Sequence, residues 1–294
     1  MLNANITSMT RDWLPALAEP IRKEEYELVL PVYQRSRYEG TLTQTLVIPL
    51  IQALFGRRLL HPLAEEFGCS AAIADLLLEH DAWSRDSGPQ GIECWLPATA
   101  IDGRLAIGQA VLGLRAVTPP ARPAPLGPTV GRVAAALFAL AEHFESAWIE
   151  VRGSEAVPTF GVPPEPLLTG PAVDTDRMRL GFRQGIRDLL PIWERILAPE
   201  NLGEVLALEH DSSECFRFPD HLWARVVYDF LLAYRHRVVY RGHVAQSLAP
   251  LYLGRAAALV LKTRGDPASA MTRAAENLGR AFEEQKSYLV DRWR

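Results

Sequence analysis

Five prolines between Thr118 and Pro128, at 119, 120, 123, 125 and 128, divide this chain into two parts with different patterns. Proline has no backbone N–H and a fixed φ. A run this dense can neither continue a helix nor join the interior of a sheet, and it makes a stiff connector. Before it lie the two convincing β-type runs, Tyr26–Val32 (YELVLPV) and Leu105–Leu114, with helical segments between them. After it the periodic segments are all helical: Val130–Trp148, a helix through Leu180, Ile186, Leu189, Trp193 and Ile196, one opened by Pro219-Asp220, and one over His243–Lys262. A last helix follows Asp266-Pro267, with Met271, Leu278, Phe282, Leu289 and Trp293 predicted to face inward. The small residues of Gly254–Ala258 predict close helix packing. The expected class is α/β, with an α/β region over 1–122 and an α-helical domain over 123–294. Two strands are few for a self-sufficient doubly wound sheet.

The chain has 294 residues, enough for a proper core, with 31 basic against 35 acidic residues. No Lys/Arg-rich run extends beyond pairs such as Arg57-Arg58, which argues against nucleic acid as a partner. The apolar runs near Leu46–Leu54 and Ala256–Leu261 are too short and interrupted to span a bilayer. No basic n-region precedes an apolar core, so no signal peptide is expected. The three cysteines (69, 94 and 215) are scattered without metal-type spacing, as reduced thiols in a cytoplasm would be.

The stretch Tyr38–Phe67 carries the densest chemistry. Gly40-Thr41-Leu42-Thr43-Gln44 passes into an apolar helix, and Thr41 with Gln44 reads as an N-cap closed by a capping box. The N-terminus of such a helix presents unpaired N–H groups and a positive dipole end to an anion. The chain then returns through Gly56, Arg57, Arg58 and His61 to Glu65-Glu66. These residues fit an anion site beside two carboxylates. They fit equally a capped core helix with a solvated Glu pair. His61 reads as a satisfied surface histidine or, lying near the carboxylates, as a metal ligand. Arg115 reads as a phosphate ligand or as a strand end in solvent. Asp220, His221, Trp223 and Arg225 read as cap and packing residues, and Tyr228, Tyr234 and Tyr252 as core with a polar tip. No Ser-His-Asp order, Gly-rich phosphate loop or Cys/His cluster is present.

Several motifs in series carry a resemblance: the GTLTQ turn with its helix (Gly40–Leu54), PLAEEFGCS (Pro62–Ser70), GIECW (Gly91–Trp95) and GQAVLGLRA (Gly108–Ala116). Together they resemble the later half of the catalytic domain of retaining GT-A-fold glycosyltransferases. These are the glucosyl-3-phosphoglycerate, glucosylglycerate and mannosylglycerate synthases. FPDHLWARVVYDFLLAY (Phe218–Tyr234) and SLAPLYLGRAAALV (Ser247–Val260) resemble the helical extension of the glucosylglycerate-synthase-like branch.

The resemblance implies transfer of a sugar from a nucleotide-sugar to glycerate, phosphoglycerate or a related small acid. It implies Gly40, Thr41, Thr43 and Arg115 as acceptor-binding residues, and Glu66 and Glu93 as catalytic carboxylates facing donor sugar or acceptor hydroxyls. The family holds Mg²⁺ or Mn²⁺ with a DxD motif and a downstream His, and a divalent ion of that kind stabilises the departing diphosphate. Here Asn3-Ala4-Asn5 stands at the first position and Val117 at the second, and a family glycine pair appears as Ala64-Glu65. Amide groups are poor ligands for hard cations and Val is none, so no metal is expected to be held. Only Met1-Leu2 precede the NxN triplet, so the nucleotide-binding half is expected to be lacking from this chain. Two readings are open: a sugar transferase whose donor side comes from elsewhere, or a catalytically degenerate homologue acting as a binding or partner subunit. The helical region is also expected to build a homo-oligomer.

Overall fold

The computed structural model describes residues 1–63, 65–79, 91–118, 125–168, 172–210 and 216–294, and only the backbone of 78, 79 and 91–94. Ala64, Cys215, the Gly88–Pro89 loop and prolines 119, 120 and 123 therefore lie outside it, as do the side chains of Glu93 and Cys94. The protein is mixed α/β, mostly helical, with a small mixed sheet followed by a helical C-terminal region.

Helix α1 (Trp13–Arg22) leads to β1 (Leu28–Gln34), two residues later than the apolar run suggested. A π-helical turn (Thr43–Val47) and α2 (Ile48–Phe55) come next, then the short strands β2 (Arg57–Arg58) and β3 (Gly68–Cys69). After these come α3 (Ala71–Glu79), α4 (Gly91–Asp102) and β4 (Ile107–Leu114). The sheet order is β3-β1-β4-β6, where β6 is Thr159–Phe160. Strands β1 and β4 run parallel in register Leu28↔Ile107 through Gln34↔Leu114, and β3 lies antiparallel on the other side of β1. The first six residues of β1 are buried, the signature of a strand covered on both faces. Opposite Val29 β3 ends, so a residue without an N–H is tolerated at Pro31.

The end of the β1–β4 pair is irregular. Its register slips between Val32 and Tyr33, with Leu112 as the extra residue and Gly113 at φ 78°. A bulge of this kind kinks the ladder and re-aims the side chains beyond it.

The helical region comprises α5 (Leu126–His143), α6 (Glu145–Trp148), α7 (Thr175–Ile196), α8 (Pro199–Ala207), α9 (Asp220–Arg235), α10 (Arg241–Ser247), α11 (Ala249–Thr263), α12 (Ser269–Glu284) and α13 (Lys286–Trp293), with β5 (Glu155–Ala156) paired to β2. The patterns read as single helices over 130–148 and 243–262 are each two, broken at Phe144 and at Leu248 ahead of Pro250. Met271, Leu278, Phe282, Leu289 and Trp293 are all buried, and Gly254 lets α11 close on Phe182.

One core runs through both regions, from Leu28 to Trp293. Polar ties reinforce it. Gln52 Nε2 on α2 donates to Glu283 Oε1 on α12 at 2.8 Å. Lys286 Nζ, buried at the start of α13, donates to the carbonyls of Leu54, Trp148 and Val151 at 3.0, 2.9 and 2.9 Å. The stretch Arg241–Thr263 is long and apolar enough to cross a membrane by length and composition, but 78% of its most apolar window is buried inside the fold, as in a core helix.

Candidate functional site

The C-terminal ends of parallel strands are where open α/β sheets place their sites, and here those ends carry Tyr33, Arg35 and Arg115. Tyr33 and Arg35 stand two apart at the end of β1, a spacing that puts side chains on the same side of an extended chain. Arg115 comes directly after β4. The return segment before β3 brings Glu65 and Glu66 against them.

Glu66 is fully shielded from solvent and fully engaged. It accepts from Tyr33 Oη at 2.5 Å, from Arg115 Nε at 3.2 Å and from Arg115 Nη2 at 3.1 Å. Arg115 Nη2 also donates to Glu65 Oε2 at 2.7 Å, and Asn3 Nδ2 donates to that same oxygen. Four residues singled out in the sequence, Asn3, Glu65, Glu66 and Arg115, thus form one cluster, joined by Tyr33. Burial opposes the Arg115 charge, but the hydrogen bonds and charges of Glu66 and Glu65 outweigh it and hold its pKa above the ordinary arginine value. Burial first, and then the hydrogen bond to Glu66, raise the Tyr33 phenol, which stays protonated and donates.

The Asn3-Ala4-Asn5 segment lies along the chain after β4. Ile6 bridges Val117, Thr7 N–H donates to Ala116 O at 2.9 Å, and Thr118 N–H donates to Asn5 O at 2.9 Å. The two positions at which the resemblance puts metal ligands are therefore neighbours in space. Their donor set does not fit a divalent cation. The Asn3 amide donates to Glu65, and its Oδ1 already accepts Asn5 N–H at 2.8 Å. Val117 offers no lone pair, and the guanidinium of Arg115 already occupies the carboxylates. No group of three or more His, Cys, Asp or Glu suited to a metal occurs among the described residues.

Beside this cluster lies a pocket of about 180 Å³. Tyr33, Arg35, Glu39, Gly40, Thr43 and His61 line it, and α12 closes one side with Met271, Thr272 and Ala275. Gly40 adopts φ 71°, which turns the chain from β1 into the helical stretch; a Cβ there would sit 3.0 Å from Arg35 Nη1. The capping box does not form. Thr41 is already helical, and its hydroxyl meets Tyr252 Oη at 2.8 Å instead of a backbone N–H, while Gln44 N–H bonds Gly40 O at 3.0 Å as an ordinary helical link. The partner from α11 wins because Thr41 faces the helical region, not the open end of the turn. Of the turn residues Gly40, Thr41 and Thr43, the first and last line the pocket and Thr41 ties its frame to α11.

Arg35 is the group that pattern reading missed. Its Nε is buried without a hydrogen-bond partner among the described residues, and no ion pair joins it to one of them. Burial pulls its pKa below the ordinary arginine value, Glu39 partly offsets that, and the like charge of Arg115 adds to it. His61 is not a surface histidine. Its Nδ1 accepts the Tyr33 N–H at 3.1 Å, and burial together with the charge of Arg35 lowers its pKa to about 3, so it is neutral. The signal for Arg35 was its alternate spacing with Tyr33 in YQRSRYEG, just before the glycine turn. Glu93 stands in the first turn of α4, and its side chain lies outside the described residues.

No protein-family model matches this chain, and no curated protein matches it.

Proposed function

We propose that this chain is a glycosyltransferase-related protein that holds a small carboxylate-bearing molecule of the glycerate class in the pocket beside Tyr33, and that it acts as a binding or partner subunit. The observation that carries this reading is Arg35, a cation without an ion-pair partner among the described residues, lining a pocket bounded by the Gly40 turn. A guanidinium that lines a pocket without a protein counterion is a strong, directional receptor for a carboxylate. Glu66, with every near partner already used, is suited to hold Tyr33 and Arg115 in place and not to meet a substrate. Titration calorimetry with glycerate tests the reading. Binding that Arg35→Met weakens at least tenfold supports it. Equal affinity in the variant rejects it.

A second reading, sugar transfer from a nucleotide-sugar to that acid, is favoured by one observation: the residue 3–8 segment and Val117 run side by side as a donor site built on the family pattern would require. Incubation with nucleotide-sugars and glycerate, with and without Mg²⁺, decides it. Product formation would establish transfer, and absence of both product and nucleotide-sugar binding would leave the binding role.

A further inference from the structure

We propose that the pocket takes a small zwitterion, its carboxylate on Arg35 and its ammonium group toward Glu39, in preference to a doubly charged phosphate ester. The inference rests on the small-acid reading of the same pocket and narrows it.

The charge inventory of the pocket is short. Among the described residues, Arg35 is the one cationic side chain lining it and Glu39 the one carboxylate. His61 is neutral, since its Nδ1 must accept the Tyr33 N–H. The wall is therefore electrically balanced, with one fixed positive and one fixed negative group. A dianion would meet a single guanidinium and a repelling carboxylate. A plain monoacid would satisfy Arg35 and leave Glu39 facing a hydroxyl.

The geometry has the same sense. Glu39 is the opposite charge felt most strongly by Arg35, yet the two do not approach within salt-bridge distance. They are held apart. Glu39 Oε2 instead accepts the Ser36 N–H at 3.3 Å, and a Cβ added at Gly40 would sit 3.0 Å from Arg35 Nη1. A molecule that carries both charges a few bonds apart can bridge this gap and complete both groups. The pocket suits one of that size, because about 180 Å³ is well below the several hundred Å³ typical of sites for drug-sized ligands. Thr43 and Thr272 add hydroxyls for a short polar side chain.

Serine and glycerate form a near-isosteric pair, differing in an ammonium or a hydroxyl on the same carbon. Calorimetry with both enantiomers of each, and with 3-phosphoglycerate, isolates the charge preference. Glu39 is solvent-exposed, so Glu39→Gln keeps the fold and an exposed pair of this kind predicts a modest effect. Serine is expected to bind about threefold to fivefold more tightly than glycerate, with 3-phosphoglycerate weakest, and Glu39→Gln is expected to erase the serine preference while leaving glycerate binding intact. Equal or tighter binding of glycerate or 3-phosphoglycerate overturns the zwitterion inference and leaves the small-acid site standing. A serine preference untouched by Glu39→Gln also overturns it. No binding by any of the three rejects both.

Discussion

Arg115 grips Glu66 side-on, with Nε to Oε2 at 3.2 Å and Nη2 to Oε1 at 3.1 Å, where the carboxylate has no contact with water. Removing one partner of a buried pair strands the other charge, which is far more damaging than losing the pair. Arg115→Met should therefore destabilise the protein by about 3–5 kcal/mol, and Arg115→Met combined with Glu66→Leu by clearly less. Urea unfolding midpoints of the two variants test this; equal losses would show that Glu66 is not dependent on Arg115.

The neutral state of His61 makes a pH prediction with a definite sign. Its folded pKa of about 3 lies below the ordinary histidine value. Between those values the unfolded chain binds a proton that the folded chain refuses, so stability is fully present above about pH 6.5 and falls as pH drops toward 3. The slope attributable to this group is about 1.4 kcal/mol per pH unit. His61→Asn should flatten the stability profile between pH 6 and 4 relative to the parent. An unchanged slope would mean that the ring is protonated in the folded state, against its acceptance of the Tyr33 N–H.

Thr41 and Tyr252 share a hydroxyl–hydroxyl bond of 2.8 Å across 211 positions of chain. In a double-mutant cycle with Thr41→Val and Tyr252→Phe, the coupling energy is expected at about 0.5–1.5 kcal/mol. The same Thr41→Val change should weaken ligand binding less than Arg35→Met does, because Thr41 does not line the pocket. Affinity lost in full at Thr41 would move it into the binding site.

Lys286 satisfies three carbonyls from two separate segments, the end of α2 and the turn that closes α6. Lys286→Met keeps the stem and removes the donors, so the carbonyl of Leu54 loses this partner, while Trp148 O keeps the Val151 N–H and Val151 O a long bond from Arg152. A loss of about 2–4 kcal/mol is expected. Thermal denaturation by circular dichroism measures it, and a variant as stable as the parent would show that water replaces the ammonium group.

The legible parts of this fold were those set by local periodicity. The two long strands, the inward faces of α12 and α13, and the start of α9 at Pro219-Asp220 all derive from side-chain spacing and proline placement. Asn3, Glu65, Glu66 and Arg115 were each readable only separately, and their meeting in one cluster emerges from the fold. What escaped reading depends on partners distant in the chain. Thr41 looked like a cap because nothing local reveals Tyr252. His61 looked exposed because its shielding comes from β1 and Arg35. Arg35 passed unremarked because an arginine at a strand end is ordinary until its surroundings deny it a counterion. The bulge at Val32/Tyr33 is invisible in one strand alone, since it is a mismatch of two.

The three-carbonyl seat of Lys286 has a consequence for biosynthesis. The end of α2 is finished by a residue more than two hundred positions downstream, and Gln52 waits as long for Glu283. Chains dominated by such distant pairings fold slowly, and they remain incomplete while still emerging from the ribosome. Here the region that forms the pocket is made first and closed last. A nascent chain halted before α12 would leave the side of α2 that meets α12 uncovered, an apolar surface open to aggregation until the last helices emerge.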